Sequence, residues 1–61
     1  MEVLLKEEEV AEMIKMALST LRNMRSKHIG LPYVKLGRAV RYRLSDIEQF
    51  ISDHMVAVDS L

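Results

Sequence analysis

Apolar residues recur at helical spacing near the start of the chain. In EEEVAEMI, Val10, Met13 and Ile14 stand at i, i+3 and i+4 with Glu8, Glu9 and Glu12 opposite them, a pattern that predicts a short amphipathic helix. Three consecutive glutamates at its start suit the positive end of the helix dipole. In KMALSTLRNMRSK, Leu18, Leu21 and Met24 project within an arc of about 120°, while Ser19, Arg22, Asn23 and Ser26 project from the other side. A second helix is therefore expected. Only Lys15 to Ala17 lies between the two, the tight connection of a helix-turn-helix unit.

The pattern changes at HIGLP, where Gly30 and Pro32 interrupt helix propensity and Pro32 biases Leu31 towards extended angles. Beyond this loop, YVKLGRAVRYR alternates β-branched and aromatic residues with basic ones around Gly37, a hairpin signature. A two-residue loop at Gly37 and Arg38 would pair Lys35 with Val40 and Val34 with Arg41, mixing charge and hydrocarbon on both faces. A loop from Gly37 to Ala39 instead pairs Leu36 with Val40, Lys35 with Arg41 and Val34 with Tyr42. Because a one-residue slip exchanges the two faces, the second register is predicted. It places Lys35 opposite Arg41, a like-charge pair that asks for an anion over it.

Ser45, Asp46, Ile47 and Glu48 read as a capping box opening a third helix. Ile47, Phe50, Ile51 and His54 continue at i, i+3, i+4 and i+7 and are expected to cover the core. Val58 and Leu61 extend that stripe if the helix continues; otherwise residues 55–61 form a tail. Two helices, a hairpin and a third helix make a mostly α winged helix-turn-helix domain spanning residues 1–61.

Composition narrows the picture. A chain of 61 residues with 49% hydrophobic and 30% charged content is globular in type and holds one small core. It contains no cysteine, which removes disulfides and thiolate metal sites as staples. No apolar run approaches bilayer length and the first residues are acidic, so a cytoplasmic protein without membrane association is expected.

The formal net charge of zero conceals a strong segregation. Residues 1–16 hold two bases and five acids, residues 17–43 hold seven bases and no acid, and residues 44–61 hold four acids. A run of like charge is by default a solvated face, but excluding acids from 27 residues makes a field that attracts polyanions. The second helix and the hairpin together contain every base of this block.

Double-stranded DNA is the partner this arrangement suggests. Ser19, Thr20, Arg22, Asn23 and Ser26 are residue types that bond base edges or phosphates in a major groove. Arg22 and Asn23 lead as base readers, through bidentate contacts to guanine and adenine. Arg25 projects near the core arc, where it serves either as a buttress or as a DNA contact. On the wing, Lys35, Arg38, Arg41 and Arg43 are expected at phosphates or the minor groove, with the acidic flanks facing away. Tyr33 and Tyr42 are expected in the core. An enzyme is not indicated: His28 and His54 have no nucleophile motif beside them, and no phosphate loop, metal-ligand spacing or cofactor signature is present.

LLKEEEVAEMI, STLRNMR and LPYVKLGRAVRYRLSDIEQFI resemble the small excisionase-type, AlpA-like DNA-binding domains related to the MerR winged helices. The resemblance runs from residue 4 to about 54. Its most specific part is the P-x-V-K-L-G-R-x-V-R-Y-R-x-S-D-I-E block from Pro32 to Glu48. The chain departs from that family at Lys6 and Ala17, where a serine or threonine cap is usual, and at Lys15, where glycine is. It departs again at Arg22, usually aromatic, and at Asn23, usually arginine. The resemblance implies an accessory DNA binder of a mobile element or prophage that directs excision with an integrase or regulates transcription; because one such module contacts few phosphates, an integrase or recombinase alongside or self-association on adjacent sites is expected to supply useful affinity. The alternative is a protein-interaction module that recruits a recombinase or other partner through its wing and through Met55, Val56, Val58 and Leu61.

Overall fold

A computed structural model describes residues 2–58. Strand β1 (Leu4–Leu5) leads into helix α1 (Glu7–Met13), which is followed by helix α2 (Leu18–Ser26). Strands β2 (Val34–Leu36) and β3 (Ala39–Arg43) form the hairpin, and helix α3 (Leu44–Asp53) begins directly after it. The sheet order is β1-β3-β2, antiparallel throughout. The architecture is a winged helix-turn-helix.

Both junctions that end the first two helices are Schellman turns. Lys15 donates to the Glu12 carbonyl at 3.2 Å and Met16 to Ala11 at 2.9 Å, while His28 donates to Arg25 at 3.0 Å and Ile29 to Met24 at 3.0 Å. Each turn places its pivot in the left-handed region, Lys15 at φ 55° and His28 at φ 54°, a conformation that glycine adopts more cheaply. The connection between α1 and α2 thus keeps helix-turn-helix geometry without the glycine.

The core draws one or two side chains from nearly every element. Val10 and Ala11 of α1, Leu21 of α2, Leu31 of the loop, Tyr42 of β3 and Ile47 of α3 are buried. Leu5, Ile14, Leu18, Tyr33, Val40 and Phe50 pack around them. Four details differ from the periodicity. Ala11 takes the place predicted for Met13, which is exposed, and Leu31 is buried although it lies in a loop. Ile51 is also exposed. His54 sits outside the core, with its ring 4.1 Å from that of Phe50 and its Nδ1 2.8 Å from the Phe50 carbonyl, because α3 ends at Asp53. Residues 55–58 carry no regular structure and Val58 is exposed, so it does not continue the stripe; Leu61 lies outside the described residues.

The hairpin register is the two-residue alternative: Leu36 pairs with Ala39, Lys35 with Val40 and Val34 with Arg41. Two causes account for it. Gly37 adopts φ 64°, the positive angle that a type II′ turn requires at its first central position. Only the base of the hairpin touches the core, so Tyr42 and Val40 must face inward while the tip is free to mix residue types. Leu36 is accordingly 53% exposed. Lys35 and Arg41 therefore lie on opposite faces, and the predicted like-charge pair does not form.

The start of α3 also differs. Its N-cap is Arg43, with no side-chain cap bond, since β3 runs straight into the helix and leaves Ser45 inside its first turn. The first amides are instead satisfied from the other end of the described chain. Leu44 donates its N–H to the Val3 carbonyl at 2.9 Å, and the Ser45 N–H and hydroxyl donate to Glu2 Oε1 at 3.3 and 3.0 Å. A capping bond occurs at α1, where Glu9 accepts from the Lys6 N–H at 2.9 Å. Among the described residues no helix is long and apolar enough to cross a membrane.

Candidate nucleic-acid interface

Helix α2 is seated by Leu18 and Leu21, and that seating leaves its other side in solvent. Ser19, Thr20, Arg22, Asn23 and Ser26 are all exposed, forming one polar surface over successive turns. Among the described residues no acid lies on α2 or on the wing, and along the sequence the wing meets one only where Arg43 passes into α3 beside Asp46.

Arg22 has a partner from another element. Its Nε donates to Glu7 Oε1 at 2.8 Å and its Nη2 lies 2.7 Å from the same oxygen. The second carboxylate oxygen, Oε2, accepts from Arg25 Nη1 at 2.9 Å, and the same Nη1 donates to the Tyr42 hydroxyl at 3.2 Å. Tyr42 is fully buried. A continuous chain of contacts therefore runs from the core through Arg25 and Glu7 to the exposed flank of α2, and Arg25 acts here as a buttress. The hydrogen bonds from Arg22 and then Arg25 hold the Glu7 carboxyl below the ordinary glutamate range, and Glu7 raises both guanidinium groups in return.

Glu7 was not singled out by its chemistry, being one of three consecutive glutamates, yet its position carries a signal. It stands three, four and seven residues before Val10, Ala11 and Ile14, on the inward stripe of α1 rather than opposite it. An acid on that stripe needs a cationic partner from the packed neighbour.

The wing distributes its cations over different surfaces. Arg38 is exposed at the tip and Lys35 on the face shared with Val40. Arg41 is half-buried on the opposite face, with Nη1 donating to the Val40 carbonyl at 2.8 Å. Arg43 is turned towards α3 and grips Asp46 with both prongs, Nε to Oδ2 at 2.7 Å and Nη2 to Oδ1 at 2.9 Å; this carboxylate raises the Arg43 pKa. Between the wing and α1 lies an open cleft of about 350 Å³ whose walls include Glu7, Glu8, Arg25, Arg38 and Arg41. Glu7 and Glu8 of α1 therefore border the wing instead of facing away from it, because the α1 start packs beside β3. Among the described residues no cluster of three or more metal-ligating side chains occurs.

A family profile described as Helix-turn-helix domain matches residues 4–55, which takes in every element from β1 to α3. No curated protein and no solved structure gives a significant match.

Proposed function

The chain belongs to the helix-turn-helix domain family, and from that premise we propose that it binds double-stranded DNA sequence-specifically, with α2 in the major groove and the wing on adjacent backbone. The observation that carries this reading is the exposed polar face of α2 in an acid-free segment of net charge +7. Ser19, Asn23 and Ser26 occupy the centre of that face, with Thr20 and Arg22 on its flanks. Arg38 at the tip and Lys35 and Arg41 on the two faces supply phosphate contacts. Arg43, engaged by Asp46, contributes to wing position. Its role is that of a binding module and not of an enzyme.

The motif resemblance to excisionase-type, AlpA-like domains supports a finer role: an accessory factor of a mobile element or prophage that directs excision or regulates transcription, in the cytoplasm. A module with so few phosphate contacts gains useful affinity from repeated sites, cooperative neighbours or an integrase bound alongside.

Selection from a random duplex pool under stepwise salt tests the reading. Wild type is expected to enrich a shared motif with a log-log salt slope of roughly −4, and the Arg38→Ala, Arg41→Ala double variant to show roughly −2. A pool without enrichment and a flat salt response would overturn it. That outcome would favour a protein-interaction module, for which exposed Met55, Val56 and Val58 offer apolar surface.

A further inference from the structure

We propose that Glu7 is a positioning residue for base readout, fixing the Arg22 guanidinium so that its unoccupied edge reads a guanine. The inference rests on the duplex-binding reading and adds to it a specificity determinant outside the recognition helix.

The donor geometry is the first support. An arginine carries five N–H donors in a planar fork. Glu7 takes the side made by Nε and one hydrogen of Nη2. Nη1 and the outer hydrogen of Nη2 have no partner among the described residues, and these form the end-on pair that matches guanine O6 and N7.

The second support is rigidity. A long side chain on an exposed helix face samples many rotamers, and ordering it on a base is entropically opposed. Here the order exists before binding, because Glu7 is fixed through Oε2 by Arg25, and Arg25 by the hydroxyl of buried Tyr42. The side chains of Glu7 and Arg25 are only 15% and 22% exposed, against 55% for Arg22. The anchor is thus sheltered and the reading edge is open.

Removing Glu7 then has two opposed effects. The loss of an acid beside the basic surface strengthens attraction to any duplex, while the freed Arg22 loses its discrimination. A merely repulsive carboxylate would produce only the first effect.

The test is a cycle of Glu7→Ala, Arg22→Ala and the double variant, with Glu7→Asp as the conservative control. Each is checked for fold by circular dichroism, then measured by fluorescence anisotropy on the wild-type-selected duplex, on that duplex with each guanine replaced, and on a scrambled one. Glu7→Ala is expected to lose about tenfold in discrimination at one guanine while binding the scrambled duplex roughly two- to fivefold more tightly. Arg22→Ala is expected to lose the same guanine, and the discrimination effect of Glu7→Ala to vanish in its background. Glu7→Asp should restore part of the discrimination. The proposal is overturned if Glu7→Ala keeps its guanine preference, if its loss persists without Arg22, or if Arg22→Ala leaves every guanine preference intact. Failure of wild type to select any duplex is a separate result, and it would sink the duplex-binding reading itself.

Discussion

At the scale of single residues, backbone angles decide more than side-chain type does. Lys15 occupies a left-handed pivot at φ 55°, where a Cβ is strained by about 1 kcal/mol relative to glycine. Lys15→Gly is expected to raise stability by about 0.5 kcal/mol, the strain relieved less the added unfolded-chain entropy, and the urea midpoint should move upward with an unchanged slope. Gly37→Ala should move it the other way: nothing lies within 4 Å of its would-be Cβ, so the penalty comes from φ 64° alone. Gly30 differs, because a Cβ there would meet Met24 Cε besides sitting at positive φ. The hairpin register shows the same priority. Face-sorting of Lys35 and Arg41 predicts the odd loop, yet the turn at Gly37 prevails, since a tip outside the core has no burial demand to enforce the sorting.

At the scale of elements, one carboxylate ties α1, α2 and β3 together. Glu7 has a folded pKa below its ordinary value near 4.5, so its ion pairs contribute fully above that pH and are lost as pH falls through the depressed value. Arg22 and Arg25 remain protonated throughout. Thermal stability is therefore expected to decline with acidification below about pH 4.5, and Glu7→Gln should flatten that decline while lowering stability at neutral pH by about 1 kcal/mol. A pH series of melting curves for both proteins checks it. The helices and the wing were legible in the sequence because apolar spacing and the Gly-Pro interruption are local signals. The pairing of β1 with β3 was not, since two leucines carry no period, and neither was the Ser45 contact with Glu2, which joins positions 43 apart. The exposed polar face of α2 was readable from helical projection, but that Arg43 faces Asp46 depends on a strand passing into a helix without a loop.

At the scale of the whole molecule, the core is small and shared. Its six buried side chains come from four elements and one loop, so no element has enough apolar contact to stand alone. A domain of this length has a total stability of roughly 3–9 kcal/mol, while Ile47→Ala deletes a fully buried side chain at about 2–5 kcal/mol. At a temperature just below the wild-type midpoint, the variant is expected to be substantially unfolded. A selected duplex at about 100 times its Kd adds about 2.7 kcal/mol to the folded state, and helical circular dichroism should return as duplex is added. A scrambled duplex at the same concentration should return little of it.

The contacts of Glu2 and Val3 with the first turn of α3 also set an order of assembly. Residues 2 and 3 leave the ribosome ahead of α1, but their partners at 44 and 45 emerge only after α2 and the wing. A segment made ahead of α1 is thus fastened only once the wing is complete, and a nascent chain arrested before Leu44 carries α2 and the wing on an unlocked frame. Competence to bind arrives late in synthesis, when the two distant segments meet.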